Sequence, residues 1–264
     1  MLKLEYVSKA FNRGTVNEKT ALQNVSLQVN EGDFITMIGG NGAGKSTLLN
    51  CVAGVFLPDA GSIFIDSVNV TGLPEHRRAQ YVGRVFQDPM MGTAADMTLE
   101  ENLALAYRRG KRRTLRWGIS HKEREQYHTL LEQLALGLEQ RPTCKVGLLS
   151  GGQRQAITLL MAILQKPKVL LLDEHTAALD PKTAEKVLTL SNTFIQEARL
   201  TTLMVTHNMR NALQYGNRLL MMHEGQIVVD VRGEEKAKLS VDDLLWMFEK
   251  ASGQALDNDR MLLG

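Results

Sequence analysis

The residues with the clearest capacity for chemistry lie in one short stretch, GGNGAGKST, which runs from Gly39 to Thr47. Glycines lack a Cβ atom, so successive backbone N–H groups can turn toward one anion, and a helix that begins at the lysine directs its positive end to the same point. In a loop with this spacing, Lys45 reaches the β- and γ-phosphates of a nucleotide and the Ser46 hydroxyl is a ligand of Mg²⁺. The predicted nucleotide contacts are Gly39, Asn41, Gly42, Ala43, Gly44, Lys45, Ser46 and Thr47.

The flanking sequence decides between such a P-loop and a glycine-rich turn before an ordinary helix. An aliphatic run, FITMIG, leads into the glycines, and a helix-like run, TLLNCVAGV, follows them. A strand, a loop and a helix in this order are the context that the motif requires. We therefore predict a P-loop that binds a nucleotide.

A pair of acids ends a second aliphatic run, VLLLDE, which spans Val169 to Glu174. In a doubly wound sheet, the carboxyl ends of the strands lie at the edge where the P-loop also lies. Asp173 is then placed to hold Mg²⁺ directly or through water, and Glu174 is placed to polarise an attacking water. The alternative is a buried strand that ends in a solvated acidic turn.

The stretch LSGGQ, Leu149 to Gln153, carries a third candidate group. Ser150 and Gln153 have the spacing of a helix capping box, which is a purely structural interpretation. Two glycines are poor choices inside a helix, but at a helix N-terminus they expose amides to an anion. The stretch therefore predicts a second phosphate-binding surface, with Ser150 as a hydroxyl donor.

Length and composition favour one large α/β domain. The chain has 264 residues, 44% of them hydrophobic, and a formal net charge of +2. Its two cysteines, Cys51 and Cys144, lack metal-like spacing and predict small core residues in a reducing compartment. The longest uncharged apolar run, AITLLMAIL, is shorter than the roughly 18 residues that span a bilayer, so we expect no membrane-spanning segment and no exported protein.

One strongly basic segment interrupts this ordinary composition: RRGKRRTLRW, from Arg108 to Trp117. We predict a solvated loop, and the alternative is a patch that meets anionic lipid headgroups or an acidic partner. Nucleic acid is poorly supported as a partner, because only 5% of residues are aromatic and none of these stacking residues interleaves with the arginines.

Short aliphatic or β-branched runs predict nine strands, several without alternation of apolar and polar residues. Such strands are typical of a parallel sheet that is covered on both faces. The predicted strands are Leu2–Tyr6, Ser26–Val29, Phe34–Ile38, Ser62–Ile65, Tyr81–Phe86, Val169–Asp173, Thr202–Thr206, Arg218–Met222 and Gln226–Val231.

Residues from about 90 to 148 predict helices inserted between strands. Thr98 and Glu101 have capping-box spacing, and EREQYHTLLEQLAL is periodic at helical spacing. The tail from Ser240, SVDDLLWMFEKAS, predicts a capped amphipathic helix whose apolar side chains, Leu244, Leu245 and Phe248, pack on the domain. The expected organisation is an α/β core at 1–88 and 149–239, a helical insertion at 89–148 and a helical tail at 240–264.

In chain order, these motifs resemble those of the nucleotide-binding subunit of an ATP-binding cassette (ABC) transporter, over nearly the whole length. The resemblance implies a P-loop NTPase core, with a mostly parallel sheet and an antiparallel β edge, and an inserted α-helical subdomain. Its six motifs are the P-loop Gly39 to Thr47, the glutamine loop at Gln87 in VFQDP, the signature LSGGQ, the Walker B strand that ends in Asp173 and Glu174, the D-loop AALD that ends at Asp180, and the switch histidine His207 in MVTHN.

The resemblance also implies how the groups act. Two subunits pair head to tail, so that each ATP lies between one chain's P-loop and the other chain's signature residues, Ser150, Gly151, Gly152 and Gln153. Gln87 would contact Mg²⁺, together with Ser46 and Asp173, and the attacking water. His207 would contact the γ-phosphate and orient Glu174.

Three positions carry competing interpretations or depart from the pattern. Asp180 is placed to be the N-cap of a helix with Pro181 at its first position, and this role is compatible with a D-loop role. An aromatic residue near the N-terminus usually stacks on adenine in this family, and Phe11 is the best candidate. His175 stands where the family commonly has proline; we predict a surface-loop residue, with a titratable group near the active site as the alternative.

We therefore expect an ATPase that powers transport through separate permease subunits at the cytoplasmic face of a bacterial membrane. The stretches DEHTAALDP and THNMRNALQYGNRLLMMHEG resemble those of a subgroup linked to amino-acid-type uptake, and this resemblance implies that the solute is an amino acid or a similar small molecule. The expected partners are a second copy of the chain, the permease and, for an importer, an extracytoplasmic substrate-binding protein, with no nucleic acid. The alternatives are an exporter of peptide or lipoprotein type and a soluble ATPase of iron-sulfur assembly type.

Overall fold

The computed structural model describes residues 1–111 and 118–252, and its strands form two sheets. The strands are β1 (Leu2–Phe11), β2 (Lys19–Val29), β3 (Phe34–Ile38), β4 (Ala60–Ile65), β5 (Val68–Asn69), β6 (Val82–Val85), β7 (Val169–Asp173), β8 (Thr201–Val205), β9 (Arg218–His223) and β10 (Gln226–Arg232). The helices are α1 (Lys45–Ala53), α2 (Glu75–Arg78), α3 (Leu99–Tyr107), α4 (His121–Glu132), α5 (Gly151–Ile163), α6 (Pro181–Glu197), α7 (Met209–Gln214), α8 (Gly233–Ala237) and α9 (Val241–Ser252), with a 3₁₀ turn at Val146–Leu148.

The larger sheet has the order β10-β9-β3-β8-β7-β6 and is parallel except for the antiparallel edge strand β10. The other sheet has the order β2-β1-β4-β5 and is antiparallel. Successive residues of β7 enter cores on opposite faces of the larger sheet: Leu171 on one side, Leu170 and Leu172 on the other. Burial on both faces explains why β3 and β7 are continuous aliphatic runs without alternation.

The strand predictions are accurate in the larger sheet and incomplete in the smaller one. The predicted bounds of β3 and β7 match the structure, and those of β6, β8, β9 and β10 differ by one residue at one or both ends. In contrast, β1 and β2 extend well beyond their predicted bounds, and β5 was not predicted. Register shifts interrupt the β1–β2 ladder, and Tyr6 lies at one of them with a φ of 51°. Such irregularities break the alternation by which a strand is recognised in sequence.

The insertion is less helical than its sequence indicates. Helices α3 and α4 both begin with capping boxes, at Thr98 and Ser120, so the capping prediction for Thr98 is confirmed. The helical prediction is wrong for residues 133–145 and for 90–98, which form turns and irregular segments. Part of the basic segment, 112–117, lies outside the described residues.

The tail helix α9 packs on the core, as its pattern predicts. Leu244 and Phe248 are buried, Leu245 is partly buried beside them, and the Phe248 ring meets the His223 ring edge-on at 5.2 Å. Cys51 is fully buried, whereas Cys144 is only partly buried. In the parts of the chain that the structure describes, no helix is both long enough and apolar enough to cross a membrane.

Candidate active site

The P-loop connects β3 to α1 through backbone conformations that need glycine. Gly39 has a φ of 148°, and a Cβ atom there would lie 2.2 Å from the carbonyl oxygen of Met222. Gly44 has a φ of 103°, and its Cβ atom would lie 2.5 Å from the carbonyl oxygen of Ala21. The loop therefore passes so close to β9 and β2 that side chains at these two positions are excluded.

The first turn of α1 is open to an anion. Gly44 is the N-cap residue of the nine-residue helix and provides no side-chain cap, so the N–H groups at this end keep their capacity to bind a phosphate. The Lys45 side chain is buried, and its Nζ donates to the carbonyl oxygens of Gly39 at 2.6 Å and Gly40 at 3.1 Å. Burial lowers the pKa of Lys45, while the charges of Glu174 and Asp173 oppose this effect. A cation and free amides thus share one loop.

Asp173, at the end of β7, is held by a residue on each side. Its Oδ1 accepts a hydrogen bond from the Ser46 Oγ at 3.3 Å, and its Oδ2 pairs with the Arg84 Nη2 at 3.4 Å. Burial raises the pKa of Asp173, although Arg84 and Ser46 act against the rise. The Ser46 hydroxyl and the Asp173 carboxylate are oxygen donors of the kind that Mg²⁺ prefers, so these residues fit the ion.

Arg84 is the member of this group that the sequence analysis missed. It lies on β6, next to β7 in the sheet, and its guanidinium also covers the Phe86 ring at 4.5 Å. A basic residue inside the strand that leads to VFQDP was the available signal. The parallel pairing of β6 with β7, which brings Arg84 beside the acid, is not readable from the sequence.

Glu174 begins the turn after β7 and pairs with the histidine that follows β8. Its Oε1 lies 2.9 Å from the Nδ1 of His207, and its N–H donates to the Val205 carbonyl. Burial acts to raise the pKa of Glu174, but the hydrogen bond and charge of His207, together with Lys45, outweigh burial and lower it. Glu174 has a φ of 46°, an uncommon conformation for this residue type, so the surrounding structure must hold the carboxylate in place.

Gln87 and Phe11 lie at the borders of the site. Gln87 is exposed and follows β6 by two residues, on the edge where Asp173 ends β7. Phe11 ends β1, and its ring meets that of Phe56 edge-on at 5.1 Å. Lys19 pairs with Phe11 across the hairpin. The positions of Gln87 and Phe11 are compatible with their predicted roles.

The signature stretch begins α5 with the predicted capping box. The Ser150 Oγ accepts from the Gln153 N–H at 3.3 Å, and the Gln153 side chain accepts from the Ser150 N–H at 3.2 Å. Gly152 has a packing role as well, since a Cβ atom there would lie 2.2 Å from the Cγ2 of Thr183 on α6. Ser150 and Gly151 are exposed, and Leu148 before them is 78% exposed.

Asp180 is the N-cap of α6, as predicted. Its Oδ1 accepts from the Thr183 N–H at 3.1 Å, and Pro181 occupies the first helical position. Hydrogen bonds from Thr183 lower the pKa of Asp180. The carboxylate therefore caps the helix, and Asp180 remains exposed at the surface in this role.

The prediction that His175 belongs to a surface loop is wrong. The side chain is buried, with 2% of the residue exposed, and its Nε2 lies 3.1 Å from the Ser191 Oγ on α6. Burial lowers the pKa of His175 to about 4, so the ring is neutral at physiological pH. A residue in the seven-residue connection between β7 and α6 can be buried when the following helix folds over it, and sequence patterns do not report that packing.

Comparison with known proteins identifies the class of protein that has this fold and site. Residues 22–177 match the family model described as ABC transporter. The chain belongs to the ABC transporter family, as an ATP-binding subunit with ATPase activity.

Individual relatives cover most of the chain. A tyrosine transport ATP-binding protein of Clostridioides difficile is 47% identical over 95% of this chain and 100% of its own length. A methionine import ATP-binding protein of Bartonella henselae is 33% identical over 92% of this chain and 68% of its own length. A solved dimeric ATP-binding cassette in a post-hydrolysis state with ADP and Pi is 30% identical, with a TM-score of 0.75 over 88% of this chain and 98% of that chain.

Proposed function

We propose that two copies of this chain hydrolyse Mg-ATP between them and so power uptake of tyrosine or a similar amino acid through separate permease subunits. The observation that carries the ATPase part is the convergence of Lys45, Asp173 and Glu174 at one edge of the sheet, where their charges act on one another. The observation that carries the cargo is the likeness to the tyrosine transport protein along that protein's whole length.

Nucleotide binding is assigned to the P-loop and its borders. The ammonium of Lys45 and the free amides of α1 neutralise the phosphates, while Phe11 contacts the adenine ring. Ser46, Asp173 and Gln87 would hold Mg²⁺, which supplies further neutralisation of the phosphate charge. The pairing of Ser46 with one oxygen of Asp173 supports this assignment, because it brings two hard ligands together.

Hydrolysis is assigned to the pair of Glu174 and His207. The lowered pKa keeps the Glu174 carboxylate ionised, which a group that polarises water requires. His207 contacts this carboxylate through Nδ1, and we assign its Nε2 to contact with the γ-phosphate. The mechanism needs positioning and charge stabilisation more than covalent chemistry.

The signature residues and Asp180 are assigned to a second copy of the chain. Ser150, Gly151, Gly152 and Gln153 form the N-terminus of a 13-residue helix, and its N-cap Ser150 and first residue Gly151 are exposed, which suits an anion delivered by a partner. Head-to-tail pairing places such a helix end against the nucleotide in the other chain's P-loop. The similar cassette, which is dimeric with bound ADP and Pi, supports the pairing of two copies.

We assign the binding site of the permease to a cavity of about 1650 Å³ between the core and the helical insertion. Arg77, Arg109 and Lys122 contribute positive charge to its lining, and Arg84 connects it to Asp173. Docking of a permease segment there would hold the chain at the cytoplasmic face of the bacterial membrane. An extracytoplasmic substrate-binding protein would complete an importer, and the import names of the relatives favour this reading over an exporter or a soluble assembly ATPase.

Uptake by a strain that lacks the gene tests the cargo. We expect loss of radiolabelled tyrosine uptake and retention of methionine and thiamine uptake, with wild-type chain restoring tyrosine uptake and Lys45→Ala failing to do so. Unchanged tyrosine uptake would overturn the cargo. Equal restoration by Lys45→Ala would overturn the dependence of transport on this ATPase.

A further inference from the structure

The imidazole of His175 is buried one residue after the proposed catalytic residue Glu174. Its Nε2 lies 3.1 Å from the Ser191 Oγ on helix α6. The Ser191 hydroxyl donates to the Val187 carbonyl oxygen at 2.7 Å, so its own proton is already used. The Ser191 oxygen must therefore accept from His175, which assigns the proton of the neutral ring to Nε2.

This hydrogen bond joins two parts of the site that the sequence keeps separate. One part is the turn after β7, where Glu174 has a φ of 46° and its backbone carbonyl oxygen accepts a hydrogen bond from the Ala177 N–H at 2.9 Å. The other part is α6, which begins at the D-loop residue Asp180 and reaches Ser191 three turns later. The strained turn can keep one geometry only if its neighbours hold it.

Helix α6 connects the D-loop to Ser191 through one continuous helix of 17 residues. The side chains of Leu188, Phe194 and Ile195 on its inner face are buried in the core, whereas its N-cap Asp180 is exposed at the surface. A shift of the D-loop would therefore move Ser191 together with the rest of the helix. Through Ser191, the same shift reaches the residue next to Glu174.

We propose that His175 is a positioning residue, whose Nε2–H bond to Ser191 clamps the turn of Glu174 to the helix that begins at the D-loop. The inference rests on the proposed role of Glu174 in hydrolysis. The clamp provides by hydrogen bonding the stiffness that proline would provide by its ring at this position. It also gives the turn a connection to the partner-facing end of α6, which a proline would lack.

Steady-state ATPase kinetics of the full chain test the clamp. His175→Leu removes the donor and Ser191→Ala removes the acceptor, and we expect each to lower kcat about tenfold while KM for ATP changes by less than about twofold, because a misplaced carboxylate affects the chemical step more than nucleotide binding. The double variant should be no slower than either single variant, since both remove one interaction. His175→Gln keeps an N–H donor at similar reach and should retain kcat within about threefold.

Thr193→Ala is the matched control, because the Thr193 hydroxyl bonds back to α6 at the Thr189 carbonyl without contacting a histidine. Its kcat should equal that of the wild type. Additive losses for His175→Leu and Ser191→Ala, or equal losses for the leucine and glutamine variants, would overturn the clamp. If Glu174→Gln keeps a normal kcat, the proposed function fails. If Glu174→Gln loses activity but the His175 and Ser191 variants keep a normal kcat, the clamp alone fails.

Discussion

At the scale of single residues, the site depends on how each charge is balanced. Lys45 is buried among carbonyl oxygens, and Asp173 and Glu174 stabilise its charge from outside the loop. Glu174 in turn owes its lowered pKa to His207 and Lys45. In the proposed site, an incoming polyphosphate would meet a cation that the loop carbonyls already hold near the N-terminus of α1.

The charge balance predicts the effect of Glu174→Gln. Loss of the ionised carboxylate should lower the ATPase rate by about 10²- to 10⁴-fold and leave ATP affinity nearly unchanged, because the phosphate contacts are made by other residues. ATPase rates and binding of a fluorescent ATP analogue measure the two effects. Glu224→Gln, at another acid with positive φ after a strand, is the matched control and should have no effect. A rate within a few-fold of the wild type would exclude Glu174 as the group that activates water.

At the scale of secondary-structure elements, a buried arginine supports the P-loop helix from its far end. Arg78 on α2 is fully buried, and its guanidinium donates to the carbonyl oxygens of Cys51 and Val52, which close α1, and to those of Leu73 and Thr71. Burial lowers the pKa of Arg78. A cation at the C-terminus of a helix is favourable, and here it also satisfies carbonyl groups that would have no partner.

Replacement of Arg78 should therefore destabilise the fold. Arg78→Met keeps much of the packing but removes the donors, and we expect a loss of about 2 to 5 kcal/mol in the free energy of unfolding, because buried carbonyls would lose their partners. Urea denaturation measures it. The neighbouring exposed Arg77→Met should change stability by less than about 0.5 kcal/mol. Equal effects of the two variants would contradict the support role.

The contact between α5 and α6 predicts a second effect at this scale. Gly152→Ala places a methyl group 2.2 Å from the Thr183 Cγ2, so we expect a loss of about 1 to 3 kcal/mol in unfolding free energy. Thr183→Ser removes the clashing methyl group and should restore most of that stability in the double variant. Gly151→Ala is the control, since its methyl group would lie 3.3 Å from one flexible leucine side chain. A destabilised double variant would show that the loss has another cause.

At the scale of the whole molecule, one buried lysine should shape the pH dependence of stability. Lys236 is 3% exposed, and its ammonium donates to the Tyr215 and Gly216 carbonyls, with no carboxylate partner among the described residues. Burial lowers the pKa of Lys236 from 10.5 to about 8. The unfolded chain therefore binds more protons than the folded chain between these two pH values, and the contribution to stability rises with pH across that window.

Comparison of the wild type with Lys236→Met isolates this contribution. The unfolding free energy of the wild type should gain up to about 3 kcal/mol relative to the variant between pH 8 and pH 10.5, and the difference should be constant below and above that window. Urea titrations at pH 7 to 11 measure the difference. Lys238→Met, at a lysine that is 79% exposed, should follow the wild-type curve. A difference that does not change with pH would contradict the lowered pKa.

The assembly is also a property of the whole molecule. The P-loop and the signature lie at two separate helix N-termini, those of α1 and α5, and we propose that both contact phosphate. In the proposed head-to-tail pair each end completes a site with the other chain. The same separation explains why a single copy would bind a nucleotide without being able to enclose it.

Much of the site can be predicted from the sequence because it depends on local spacing. The P-loop, the two acids that end VLLLDE, the capping boxes at Thr98 and Ser150 and the N-cap at Asp180 are set within a few residues, so neighbouring side chains determine them. The central strands β3 and β7 are equally predictable, since burial on both faces leaves an uninterrupted aliphatic run.

The remaining features required the tertiary structure, because they join residues that are distant in the chain. Packing of α6 over the turn after β7 buries His175, and pairing of β6 with β7 brings Arg84 to Asp173. The sequence by itself determined where the glycines, the lysine and the acids of the proposed site stand in the chain, since side-chain chemistry and local backbone preferences are encoded residue by residue. The partners that hold those residues in place were decided only when sheets and helices packed together, because burial and long-range contacts belong to the folded chain.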